Sequence, residues 1–236
     1  MGDWVVLAVD QEVAWVDRER TIEFQGRRLI LRPSGGELWG DVSLEQLEGE
    51  AYFQAGTLVR RFLSVQAWKH ESPYREMGQT GGTHRIRIGG RRPTQLRPYP
   101  NVDLSDLSFE TNPAQDLALA LYRDAIGLEP NHTYKFLALF RILNVTLPNS
   151  RAQKDWINGH LGDVLHARER ADTLAQSVAD VGGYLYDTGR SALAHAFQPP
   201  LIDPDNFDDT YRVNLDLGLV GELVDLFMER QLGLRK

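Results

Sequence analysis

The chain contains no cysteine in 236 residues. Disulfides, thiolate metal sites and a cysteine nucleophile are therefore excluded from its chemistry. No run of about 18 apolar residues occurs, so no membrane-spanning helix is expected. The opening Met1-Gly2-Asp3-Trp4 has neither a basic n-region nor an apolar h-region, and the expected location is cytoplasmic. Lysine is scarce, standing only at 69, 135, 154 and 236, so the basic charge is nearly all arginine. This bias reads as codon usage rather than function. A basic excess is missing too. The net charge is −7, with 14 basic and 16 acidic residues in 1–110 and 12 and 17 in 111–236. A protein that coats nucleic acid at large is normally basic, so that class is disfavoured, while a local basic groove is still allowed.

Hydrophobic content of 42% is ordinary for a globular chain and sufficient for a sizeable core. The text changes character near residue 110. Before it, Val5–Val9 and Val13–Val16 read as strands, and Thr21–Phe24, Gln25-Gly26 and Arg27–Leu31 as a hairpin. Ser43 and Gln46 fit a capping box, which predicts a helical region running to about Trp68. Arg85-Ile86-Arg87-Ile88, Gly89-Gly90 and Arg91-Arg92 alternate with period two and predict a second hairpin. After Asn112-Pro113 the pattern is helical. One helix ends near Glu129-Pro130 and a second covers Tyr134 to Val145. A long third runs from Asn149 or Ser150 to about Val178, where Gly182-Gly183 breaks the pattern. A fourth spans Tyr184 to Phe197, and a fifth opens at Asp208 or Asp209 and ends near Gln231. The expected class is α+β: an N-terminal mixed domain over 1–110, followed by an all-helical bundle over 111–236.

Chemistry is concentrated in the fourth helix, at Gly189-Arg190-Ser191-Ala192-Leu193-Ala194-His195-Ala196-Phe197. An Arg-x4-His spacing arises about 0.5 times by chance in a chain of this composition, so its helical context has to give it meaning. On an α-helix the two residues lie about 140° apart. They meet only if the long arginine reaches round, or if a second copy faces the first across a two-fold axis. Gly189, Ser191, Ala192, Ala194 and Ala196 are small and suit such an approach. An imidazole with an ordinary pKa near 6.5 can take a proton from an RNA 2′-hydroxyl or give one to the leaving oxygen. A guanidinium fork stabilises the phosphate as charge builds. Ser191 is placed to orient the substrate. No cofactor and no metal enter this scheme. The alternative assigns Arg190 to an ion pair with Asp187, or with another carboxylate of the bundle, and buries His195.

This arrangement, late in a helical bundle, resembles the Arg-x4–6-His motif of the HEPN superfamily. The resemblance implies a compact helical bundle, usually a homodimer, and often a metal-independent endoribonuclease of toxin–antitoxin, abortive-infection or CRISPR-linked systems. Ser191 stands where active members commonly carry Asn, Asp or His. Phe197 stands where the subgroup regulated by adenylylation has tyrosine. More narrowly, Leu58–Ser64, Tyr122–Asn144 and Gly189–Pro204 are similar to the bacterial methylamine-utilisation MauJ family. That likeness equally allows a non-catalytic accessory or interaction protein built on a helical dimerisation bundle.

Other clusters carry less. Arg85, Arg87, Arg91 and Arg92, with His84, Arg97 and Tyr99, form the densest basic segment. It could track an RNA backbone or decorate an edge hairpin with charge. Asp203, Asp205, Asn206, Asp208 and Asp209 fail the calcium-loop pattern at its sixth and twelfth positions. His160 and His166 lack zinc spacing. Arg60-Arg61 suits a solvated helix face, and the five tryptophans suit a core or an interface rather than base stacking. The N-terminal domain carries no signature, and a signal, a protein partner or an RNA is its expected ligand.

Overall fold

The computed structural model describes residues 2–10, 15–90, 102–105, 110–195, 201–203 and 205–236. The chain divides into two compact units, Met1–Asn112 and Pro113–Lys236. The first is α+β and the second is helical.

In the first unit, β1 (Trp4–Val9), β2 (Arg20–Phe24), β3 (Arg27–Arg32), β4 (Gly40–Glu45) and β5 (Glu76–Gly82) form one sheet in the order β2-β3-β4-β1-β5. All its pairings are antiparallel. The hairpin between β2 and β3 turns at Gln25 and Gly26, whose φ values of 47° and 71° match the twist that a two-residue turn needs. Period-two alternation sorts the side chains. Val5, Leu7, Leu29, Leu31, Val42 and Leu44 share one face and are fully buried. Helix α1 (Tyr52–His70) packs against β1 and β4. Its Phe62 meets Phe24 edge-on at 5.6 Å, in a core that also takes in Trp68.

The capping box expected at Ser43 is not there. Ser43 lies inside β4 and its hydroxyl donates to the Ile30 carbonyl across the sheet. The chain turns through Gly49 at φ 78° and α1 begins only at Tyr52, where the Gln54 side chain accepts from the Ala51 N–H. The capping-box reading failed because a buried serine inside a strand has the same spacing to a later Gln as an N-cap does.

The second face of the sheet is crossed by residues 83–90. Among the described residues of the expected hairpin, 85–88 carry no strand, and Gly89 makes a single bridge to Leu38. Fully buried Asp41 anchors this strap. Arg32 bonds its Oδ1 at 2.8 Å and Arg87 approaches its Oδ2 at 3.5 Å. Arg87 also donates to the carbonyls of Pro33 and Trp39. Burial pushes the Asp41 carboxyl up, against the pull of Arg32 and Arg87. Ile88 lies 3.4 Å from where a Cβ on Gly78 would stand, so the strap seals that face with apolar contact as well.

The helical unit contains α2 (Pro113–Ile126), α3 (His132–Leu143), α4 (Ser150–His160), α5 (Arg168–Ser177), α6 (Val181–Tyr184), a π-helical segment (Leu185–Ser191), α7 (Ala192–Ala194) and α8 (Phe207–Arg230). Helices α3 and α8 form its main packed pair, burying Phe136, Phe140, Leu143, Leu223 and Phe227. Trp156 of α4 closes on Phe227 edge-to-face at 5.3 Å. Asn131, Asn149 and Asn206 cap α3, α4 and α8.

The single helix expected over 150–178 is two. Gly159 and Gly162 weaken the helix near His160, and Glu222 of α8 supplies the cause of the break. Its carboxylate accepts the N–H groups of Leu165, His166 and Ala167, capping α5 from another helix. Burial alone would raise this carboxyl, but the three donors hold it below the ordinary glutamate range. No described helix is long and apolar enough to cross a membrane.

Candidate functional site

The segment carrying Arg190 begins at Asp180, whose side chain accepts from Asn158 Nδ2 and from the Gly183 N–H, each at 2.7 Å. These two donors hold its carboxyl below the usual range. The glycines read as a break are the first turn of α6. A Cβ on Gly182 would meet the Lys154 carbonyl oxygen at 2.4 Å, so glycine there lets α6 dock on α4. The chain then widens into the π-helical segment. Such turns are rare and concentrate at functional sites. Arg212 of α8 steadies this one by donating to the Thr188 carbonyl at 3.0 Å. Helix α7 follows, and His195 leaves it at φ −130°, ψ 103°, its N–H still bonded to the Ser191 carbonyl.

Arg190 is half-buried, with its guanidinium 5.3 Å from the centre of the Tyr186 ring. It makes no ion pair among the described residues. Asp187, the carboxylate the sequence offers it, is bonded instead to Lys154 of α4 at 2.7 Å. The Lys154 ammonium also stands 5.2 Å from the centre of the Tyr186 ring. That ring is braced edge-on by Phe140 at 6.3 Å. His195 is exposed and Ser191 half-buried. Arginine and histidine thus sit in the π-helical segment and at the end of α7, and the arginine engages Tyr186.

Gly189 and Ala192 are buried within their own bundle. A Cβ on Gly189 would lie 2.6 Å from the Phe136 ring. The close approach expected of these two small residues is made inside the chain, with α3, rather than with a second copy.

Two residues of this site escaped the sequence reading. Tyr186 precedes Arg190 by four positions, a spacing at which aromatic and cationic side chains meet on a helix, so that signal was present. Lys154 lies 33 residues from Asp187 and has no local signal.

A second polar centre lies nearby in the unit. Buried Asp216 takes two bonds from Arg170, at 2.8 and 2.6 Å, and one from the Tyr184 hydroxyl at 2.9 Å. Burial is the main reason that the Tyr184 hydroxyl is shifted up. An open pocket of about 560 Å³ between α5 and α8 exposes Arg170, Glu169, His166 and Leu215. Two of its charged groups have structural tasks: Glu222 caps α5 and Arg170 holds Asp216.

In the N-terminal unit, Arg85 approaches Glu19 at 3.7 Å and lies over the Trp4 ring, while Arg87 is held by Asp41. Both arginines of the basic segment that are described are therefore turned to internal partners. Arg91, Arg92, Arg97 and Tyr99 lie outside the described residues, as do Phe197 and residues 13–14 of the expected second strand. Arg60 pairs with Glu76 at 2.8 Å on the surface. The acids near 205 shape the turn into α8: Asp203 accepts from the Asp205 N–H and Asp209 from the Asp203 N–H.

Comparison with known proteins gives one family. The model of the methylamine utilization protein MauJ family matches residues 118–229, which include α3, α4, the π-helical segment and most of α8. No curated protein and no solved structure matches the chain.

Proposed function

We propose that this chain is a metal-independent endoribonuclease of the HEPN type, acting through Arg190, His195 and Ser191. The observation that carries the reading is the state of Arg190. A half-buried guanidinium would ordinarily be matched by a carboxylate, yet its neighbour Asp187 is taken by Lys154 and the fork is left facing an aromatic ring.

In this reading the His195 imidazole accepts the proton of the 2′-hydroxyl, and the oxygen attacks the adjacent phosphorus. The bond to the 5′-oxygen of the next nucleotide breaks, and that oxygen takes up a proton from a second imidazolium. The product is a 2′,3′-cyclic phosphate. Arg190 stabilises the negative charge that gathers on the phosphoryl oxygens. A second copy of the chain supplies the second histidine. The exposed stripe of Phe207, Tyr211 and Leu215, four residues apart on α8, is the surface we assign to that contact. The N-terminal unit then serves as a sensor or partner-binding module. Arg85 and Arg87 are not carried into the scheme, because their charge is engaged within the unit.

The test is cleavage of single-stranded RNA in EDTA by wild type, Arg190→Ala and His195→Ala. Loss in both variants, with helix content intact, supports the reading. A second reading, a non-catalytic accessory protein of MauJ type, is favoured by the same apolar stripe, which serves assembly whether or not RNA is cut. It takes over if RNA is neither cut nor bound.

A further inference from the structure

We propose that Lys154 is a second phosphate-contacting residue of the Arg190–His195 site, held in the resting protein by Asp187; this rests on the RNA-directed reading of that site. Two cations, from α4 and from the π-helical segment, stand at nearly equal distance from one ring, 5.2 Å for Lys154 and 5.3 Å for Arg190. Like charges gathered on a single aromatic are tolerated because the negative face of the ring offsets part of their repulsion. An anion that reaches both cations at the ring gains from both. The arrangement is also fixed in place. The Lys154 backbone is the platform on which Gly182 packs, and Phe140 braces the ring.

Asp187 supplies the switch. Its side chain is 55% exposed, against 25% for Lys154. An ion pair so open to water is weak and screened by salt. A phosphodiester entering beside Arg190 therefore competes with Asp187 for the ammonium on favourable terms. Released, Asp187 faces solvent, and the lysine contributes a point charge beside the arginine's planar fork. Tyr186 is a positioning residue in this scheme: it touches both cations and sets where they stand.

The experiment is binding of the full-length chain to a fluorescein-labelled oligoribonucleotide whose 2′-oxygens are methylated. It lacks the attacking hydroxyl, so binding is read apart from cleavage. Anisotropy is followed over a range of salt concentrations in EDTA. Lys154→Ala is expected to weaken binding about 3- to 10-fold and to flatten the slope of log K against log salt by about 0.7, the contribution of one phosphate on a single strand. Lys154→Arg is expected to restore the slope. Asp187→Asn, which frees the lysine, is expected to tighten binding. A merely structural pair gives another pattern: Lys154→Ala and Asp187→Asn move binding in the same direction and leave the slope unchanged, and the proposal is then wrong. If Arg190→Ala loses binding while Lys154→Ala matches wild type, this inference alone fails. If wild type does not bind at all, both it and the RNA reading fall. Binding with the expected slopes but no cleavage of natural RNA sinks only the nuclease reading.

Discussion

Lys154 and Asp187 are joined at 2.7 Å between α4 and the π-helical segment, and this pair deprives Arg190 of the nearest carboxylate on its own helix. A guanidinium paired with Asp187 would be a strut, whereas one resting on Tyr186 is able to meet a phosphate.

Gly189 holds the segment to α3. An added methyl would lie 2.6 Å from Phe136, a fully buried ring that cannot swing into solvent. Gly189→Ala is expected to cost about 1–3 kcal/mol through overpacking. Thermal melting followed by circular dichroism checks this. A stability equal to wild type would mean that the ring relaxes freely.

Asp41 is the anchor of the strap across the N-terminal sheet. Asp41→Ala leaves Arg32 and Arg87 without their buried partner and is expected to destabilise by about 3–5 kcal/mol. Trp4, Trp15, Trp39 and Trp68 all lie in this unit, so tryptophan fluorescence during urea unfolding reports mainly on it. Arg85→Ala, which removes only a distant partner of half-exposed Glu19 and a stacking contact, is expected to cost less than half as much. Equal losses would remove the special place given to Asp41.

Glu222 links stability to pH. Its carboxyl sits below the ordinary value of 4.5 in the folded chain, held there by three N–H donors. Its contribution is therefore complete above that ordinary value and is lost as pH falls through the lower folded one. Wild type is expected to melt higher than Glu222→Gln at pH 7, with the gap closing as pH falls below the ordinary glutamate value of 4.5. A gap that stays constant with pH would show that the capping charge does not matter.

Much of the scaffold could be read from the chain. Val5–Val9 lies in an unbroken apolar run between Asp3 and Asp10, and Gln25-Gly26 is a turn between two β-type segments, so both strand and hairpin follow from local chemistry. The two-part division shows in the change of hydrophobic period near 112. What failed depends on distant partners. Ser43 looked like a cap because the carbonyl that receives its hydroxyl belongs to Ile30 on the neighbouring strand. The helix read over 150–178 is broken by a carboxylate more than fifty residues away. Arg85 and Arg87 looked like a charged edge because nothing local announces that Asp41, far off in the sequence, is buried beside Arg87 and that Glu19 stands near Arg85. In the candidate site, Arg190 and His195 were legible through their spacing. Lys154 passed as one of four scattered lysines, since only folding brings it to Tyr186.

The contact assigned to a second copy is tested on α8. Phe207 and Tyr211 stack at 5.9 Å and are 77% and 52% exposed. Phe207→Glu with Tyr211→Glu is expected to turn a dimer into a monomer in sedimentation velocity and to abolish RNA cleavage with it. A wild type that sediments as a monomer at micromolar concentration would contradict the composite cleft.

The most direct measurement is the end group left on RNA. Single-stranded RNA incubated with the wild-type chain in EDTA is expected to yield fragments ending in 2′,3′-cyclic phosphate. Arg190→Ala and His195→Ala, folded to the same helix content, are expected to be slower by a factor of about 10² or more. Fragments formed equally by wild type and both variants, or no fragments from any of them, would contradict catalysis by this pair.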